Sequence, residues 1–276
     1  MIELDSEVDL GYLNLGCDQT QIENVKALGG ICVEPDWDID FPERERMPSH
    51  FKAMVSRPFL RKYFPGYDYY MWIDADAWVQ DPAVIGIYLQ AAATGKIAIA
   101  SQIDRSYKSV YKRQKLFGWT HNHKHYRLGW GWRVADKFGR LPILNSGVFA
   151  LAGNSPHWEL WGEALTAGLQ RTRHRLVEQT ALNLAIYRDH LPATYLPAYC
   201  NWLCDAALPK VDQERGLLVE PNAPHQPLGI VHLAGEFTRS AKVDLETVAG
   251  EKISSMLTYE QWQETRKNLT NRVPVE

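Results

Sequence analysis

The chain has 276 residues, 45% hydrophobic and 23% charged, with a formal net charge of −3. No run approaches the ~20 uninterrupted apolar residues of a membrane span, and a near-neutral balance gives no general attraction to nucleic acid or to an anionic membrane. The first residues carry acids where an export signal carries bases, and four cysteines (Cys17, Cys32, Cys200, Cys204) do not make a disulfide scaffold at this size, so these features point to reduced thiols in a cytoplasmic protein.

In chain order, "DLGYLNLGCD" predicts a strand, "QTQIENVKALGG" a helix closed by glycine, and "ICVEP" a second strand, which together make a βαβ unit. "PSHFKAMVSRPFLRKYFPGYD" has helical periodicity broken at Pro58 and ended at Pro65-Gly66. "YYMWIDAD" predicts a strand, Pro82 opens a helix through "AVIGIYLQAAATGK", and "IAIASQI" is another short buried strand. Residues 104–140 are basic, aromatic and glycine-punctuated, too long for a plain connection, and predict an insert.

After the insert, "LPILNSGVFALAG" predicts an apolar strand interrupted at Asn145-Ser146-Gly147. Ser155 is placed to cap a helix with Trp158, Trp161 and Leu165 on one face, and "LVEQTALNLAIYRDHLP" predicts a second helix. "LGIVHLAGEFTRSAK" predicts a late strand running into a glycine turn. Residues 256–276 predict a polar helical tail with Tyr259 and Trp262 on one side. With no repeat and no linker, the expectation is one α/β domain with an elaborated middle.

The most informative chemistry is Asp74-Ala75-Asp76, directly after the apolar lead-in "YYMWI". On an extended backbone residues i and i+2 point to one side, so the two carboxylates would converge beyond a strand end, where open α/β sheets bind ligands. Carboxylates so close repel, and a divalent cation relieves that; oxygen ligands suit Mg²⁺ or Mn²⁺. The competing expectation is a pair of loop carboxylates capping a helix or paired with basic side chains.

Four segments in order, "WIDADAWVQDP", "ILNSGVFAL", "EQTALNLAI" and "IVHLAGEFTRSAK", resemble the signature blocks of GT-A glycosyltransferases, most of all family 8, the glycogenin-like retaining enzymes. The resemblance spans Asp9 to Lys242. It implies a Rossmann-like fold with a mostly parallel central sheet and flanking helices. It implies transfer of a sugar from a nucleotide-diphosphate sugar, UDP-sugars foremost, to a hydroxyl on a glycan, lipid-linked or protein acceptor, with retention.

Residue by residue, the resemblance makes Asp74 and Asp76 the DxD ligands of Mn²⁺ (or Mg²⁺) and His232 the third protein ligand. Asn145 and Gly147 match the block lining the donor sugar, Glu178 and Gln179 the pair facing the anomeric carbon, and Gly235 a close approach to phosphate. For Glu178 the alternative is a helix-first-turn acid that complements the dipole.

This sequence departs from the family's pattern in two places. The family's late lysine position is Thr238 here, leaving Arg239 or Lys242 as cationic substitutes at the diphosphate. The chain also begins one strand later than the family does, with only eight residues before "DLGYLNLGCD". That favours an alternative from another class, a catalytically silent GT-A-like module that binds a glycan or a protein. A nucleotidyltransferase has less support, because no glycine-rich phosphate loop stands near the N-terminus.

Within the insert, Trp119, Trp130 and Trp132 either offer flat faces to sugar rings or pack the insert down. His121, His123 and His125 would share one face of a strand, where three imidazoles can bind zinc, although a solvated loop is the commoner fate. Asn201 and Trp202 are weaker candidates for the acceptor side. The run "YKSVYKRQK" reads as a solvated face, or as a contact for an anionic or phosphorylated lipid acceptor and so for peripheral membrane association. A missing first strand would leave a sheet edge that a second copy could cover.

Overall fold

The computed structural model describes residues 8–108 and 122–270. In chain order these form β1 (Gly11–Leu13), α1 (Gln19–Ala27), β2 (Ile31–Val33), α2 (Phe51–Ser56), α3 (Leu60–Tyr63), β3 (Tyr69–Ile73), β4 (Ala77–Val79), α4 (Ala83–Ala92) and β5 (Ile97–Ser101). There follow α5 (Asn122–Trp130), α6 (Trp132–Phe138), β6 (Leu144–Ala152), α7 (His157–Leu169), α8 (Val177–Arg188), β7 (Ala193–Leu196), β8 (Trp202–Leu203), β9 (Lys210–Asp212) and β10 (Leu217–Val219). The chain closes with β11 (Ile230–His232), α9 (Glu236–Ser240), β12 (Val243–Glu246), β13 (Lys252–Ser255) and α10 (Tyr259–Thr270). The fold is thus mixed α/β. No helix among the described residues is long and apolar enough to cross a membrane.

Two compact units interleave along the chain: the first takes residues 1–70, 121–140 and 151–192, the second 71–120, 141–150 and 193–276. In the first, β1 and β2 pair in parallel around α1, as the βαβ pattern predicts. A capping box sets the start of α1: the Asp18 carboxylate accepts the Gln21 N–H at 2.8 Å and the Gln21 side-chain oxygen accepts the Asp18 N–H at 3.0 Å. Gly29, at φ 76°, turns the chain out of the helix where a side chain would be strained. Pro58 lies in a 3₁₀ turn, Arg57–Phe59, that separates α2 from α3.

Helices α7 and α8 pack together, and α5 packs on both. Ten consecutive residues of α8, Val177 to Ile186, are buried, which is why its sequence shows no polar face. Trp158 and Trp161 stack, with ring centroids 6.4 Å apart, and Tyr70 meets Trp158 edge-on at 5.7 Å. The helix after Ser155 starts at His157, two residues beyond the expected cap. Instead of capping through the backbone, the Ser155 hydroxyl bonds the His157 ring at 2.6 Å.

The second unit centres on a four-stranded sheet in the order β3-β6-β5-β7, mixed in direction: β5 runs antiparallel to β6 and parallel to β7. A three-stranded sheet, β4-β11-β8, also mixes directions. Asn145, Ser146 and Gly147 all lie within β6, and the pairing with β5 shifts register across them, from Ile99 opposite Phe149 to Ser101 opposite Leu144. Pro82 opens α4 as expected, and the Asp81 carboxylate accepts the Ala83 N–H at 3.0 Å. Buried Val84, Tyr88, Val148 and Ile230 make one core cluster, and Tyr107, Trp202, Leu218 and Trp262 anchor another.

His157 carries a pH liability. Its Nε2–H donates to the Pro192 carbonyl at 3.0 Å, and Nδ1 accepts the Ser155 hydroxyl. Burial pushes its pKa down to about 4, opposed in part by the bond to Pro192. The unfolded chain takes up this proton near 6.5, so the stability tied to a neutral ring is complete above that pH and is lost as pH falls towards 4. Urea unfolding at stepped pH should show a loss of up to about 3 kcal/mol over this window. His157→Gln should flatten that slope; an unchanged slope would assign the acid sensitivity to other groups.

Candidate metal and ligand site

Strand β3 delivers Asp74 at its end, but the chain then turns rather than staying extended: the Ala77 N–H bonds the Asp74 carbonyl at 2.9 Å. The premise that i and i+2 share a strand face therefore does not apply. The carboxylates are brought together by neighbouring strands instead. The Asp74 N–H bonds the Gly147 carbonyl of β6 and the Leu233 N–H bonds the Asp76 carbonyl, each at 2.8 Å. Antiparallel pairing of β4 with β11 sets His232 opposite Ala77.

Three ligand atoms, one from each of Asp74, Asp76 and His232, consequently lie within 4.8 Å of one another. The His232 Nε2 stands 3.3 Å from Asp76 Oδ1 and 4.0 Å from Asp74 Oδ2. His232 is buried while both acids are partly open, so the cluster has an open side.

Asn201 sets the orientation of the imidazole. Its Nδ2 donates to Asn145 Oδ1 at 2.9 Å, which leaves its own Oδ1 facing His232 Nδ1 at 2.9 Å. That oxygen only accepts, so Nδ1 carries a hydrogen and Nε2 is the ring atom turned towards the two carboxylates. Asn145 Oδ1 also takes the Gly147 N–H at 3.0 Å, so one oxygen ties β6 to the residue behind the histidine.

Gly147 completes the cradle. A Cβ there would stand 2.4 Å from His232 Cε1, 2.7 Å from Asp74 Oδ2 and 2.9 Å from Asn145 Oδ1. The space next to the cluster exists because this residue has no side chain. Trp72 Nε1 donates to Asp74 Oδ1 at 2.6 Å and fixes the other half of that carboxylate. Burial would push the Asp76 carboxyl up, but bonding and charge from His232, with the charge of Arg239, hold it below the ordinary carboxylate value. The Arg239 Nη1 lies 3.4 Å from Asp76 Oδ2. Two carboxylates, one imidazole of fixed tautomer and an open side form a donor set that fits Mn²⁺, or Mg²⁺ with less regard for the imidazole.

The remaining expected residues fall in varied settings. Gly235 precedes α9 and its carbonyl accepts the Thr238 hydroxyl at 2.9 Å; a Cβ on Gly235 would stand 2.9 Å from Asp205 Cβ. Thr238 is buried by that bond, which leaves Arg239 as the basic residue beside the cluster. Lys242 is exposed just before β12. Glu178 and Gln179 belong to the first unit, buried on α8, and Glu178 is ion-paired at 2.5 Å with buried Arg57. The indole of Trp130 packs on Gly168, where a Cβ would stand 2.6 Å from it, whereas Trp132 is 62% exposed.

His123 and His125 do not share a strand face, because residues 122–130 are helical and a helix turns i and i+2 apart. His123 bonds Asp136 at 3.1 Å and His125 stacks on His174 at 4.1 Å. Among the described residues the only cluster of three or more His, Cys, Asp or Glu suited to a metal is the one at Asp74. His121 and Trp119 lie outside the described residues, as does most of the run "YKSVYKRQK".

Sequence reasoning did not find the orienting role of Asn201 or the grip of Trp72 on Asp74. The available signal for Asn201 was a lone amide ahead of the apolar pair Trp202-Leu203. No protein-family model matches the chain, and no curated protein sequence matches it.

Replacing Gly147 with alanine should cost about 1–3 kcal/mol in denaturant unfolding, because the methyl has no space and β6 is held on both sides. Full wild-type stability in that variant would mean that the cradle opens freely and that glycine is incidental there.

Proposed function

We propose that this protein is a divalent-metal-dependent glycosyltransferase of GT-A type, moving a sugar from a nucleotide-diphosphate sugar, with UDP-sugars the first donors to try, to an acceptor hydroxyl. The observation that carries the proposal is the convergence of Asp74, Asp76 and His232 around Gly147, with the His232 Nε2 facing the carboxylates. The ordered blocks around these residues support the same reading, and retention of configuration rests on that resemblance.

Mn²⁺ or Mg²⁺ held by Asp74, Asp76 and His232 would neutralise charge that builds on the leaving diphosphate. The chain's own groups supply the rest. Asn201 holds the imidazole in the ligating tautomer. Trp72 holds Asp74 by its second oxygen, and Gly147 leaves the volume beside the cluster clear. Arg239, already within reach of Asp76, offers a planar guanidinium to a phosphate oxygen in place of the lysine that Thr238 replaces.

Calorimetric titration of the full chain with UDP and GDP, with and without Mn²⁺, tests the proposal. Nucleotide binding should require the metal and vanish in Asp76→Ala without a change in melting temperature; transfer assays on a donor panel then define the sugar. Binding that survives both chelation and Asp76→Ala would remove the metal assignment. No binding of either nucleotide under any metal condition would favour the catalytically silent binding module.

A second variant separates orientation from ligation. Asn201→Ala should weaken Mn²⁺ binding roughly 10–100-fold while all three ligands remain. Unaltered affinity would show that the asparagine is structural only.

A further inference from the structure

The net charge of −3 conceals a strongly basic face on the first unit. Residues 122–140 and 170–176 together hold eight lysines and arginines against one acid, Asp136, whose partner is His123. These stretches meet in space. The Arg171 guanidinium lies over Gly131, 3.6 Å from where a Cβ would stand, and Thr172 lies over Gly129. His125 stacks on His174, and Arg127 covers the ring of Trp132 at 4.9 Å.

Lys124, Arg127, Arg171 and Arg175 have no acidic partner among the described residues. Burial, then the charges of Arg175 and Lys124, press the His174 pKa below its ordinary value, as expected where positive charge accumulates without a counter-ion. In the middle of this face Trp132 is 62% exposed.

We propose that this face docks the protein on an anionic lipid bilayer, with Trp132 at the water–lipid boundary and Lys124, Arg127, Arg171 and Arg175 against the headgroups. A site for one small phosphate draws a few donors into a concave cradle. Here the cations sit on long stems from two separate chain segments, around a flat exposed indole. Clusters of four or more Lys and Arg bind acidic headgroups, and an indole flanked by basic stems favours the interface. The proposal does not depend on the Asp74 cluster, which belongs to the other unit.

Co-sedimentation of the full chain with phosphatidylcholine vesicles, with and without phosphatidylglycerol, provides the test. The protein should pellet only with the anionic vesicles and should dissociate at high salt. Charge reversal at Arg171 and Arg175, both exposed, should lower partitioning by roughly tenfold or more, and Trp132→Ser should lower it by a smaller factor. If the arginine pair fails to fold, Lys124→Glu with Arg133→Glu serves the same purpose on the α5–α6 side.

Chelation should leave vesicle binding unchanged, which separates this test from that of the metal site. Three results would each overturn the proposal: no pelleting with anionic vesicles, equal pelleting of folded charge-reversal variants, or displacement by inorganic phosphate at matched ionic strength. The last would replace the bilayer with a single-phosphate site. Tight binding of an RNA oligonucleotide without any vesicle binding would likewise replace it with a nucleic-acid surface.

Discussion

The second unit depends on one electrostatic constraint: two carboxylates and an imidazole share a volume a few ångströms wide. Like charges at about 4 Å repel by ~1 kcal/mol in water and by ~4 kcal/mol at the effective dielectric near a protein surface. The structure answers with an indole N–H on Asp74 and a guanidinium near Asp76, and Asn201 turns the His232 Nε2 into the same volume. Each answer is tied to the backbone. The β4–β11 pairing sets His232, the start of β8 sets Asn201, and β6 supplies both Asn145 and the vacant side of Gly147. Moving any of these strands by one residue would turn its ligand to the other face.

The first unit buries polarity in a different way. Arg57 and Glu178 are an ion pair with side chains 9% and 2% exposed. Such a pair stabilises little on balance, since desolvating both charges offsets most of their attraction; loss of one partner is the costly event. The 3₁₀ turn at Pro58 gives this arrangement its position, because it ends α2 with Arg57 directed inward. The same irregularity that breaks the helical pattern in sequence therefore places the guanidinium.

Charge distribution separates the two units as well. Acids that matter to the candidate site lie in the second, while a run of cations with no acidic partner among the described residues lies in the first. A whole-chain balance near zero averages these away. A net charge near zero therefore excludes a general attraction to an anionic surface but not a local one. An unpaired cationic face also resists collapse onto itself, which suits a surface that meets a charged partner.

Much of the local architecture was legible in the sequence: the βαβ opening, the helix broken at Pro58, the strand into Asp74 and the helix after Asp81 all follow from periodicity, capping and proline, which act over a few residues. Asp74 and Asp76 stood out as a candidate pair because two acids so close together follow an apolar strand directly. The extended geometry assumed for them and the alignment of His123 with His125 were not, because turn and helix there are settled by partners distant in the chain. Tertiary structure alone decided that Asn201 holds His232, that Thr238 turns inward and Arg239 outward, and that Trp130 is buried while Trp132 is exposed. A side chain's chemistry is fixed by its type, but the direction in which it acts is set by strand pairing and packing between segments far apart in sequence.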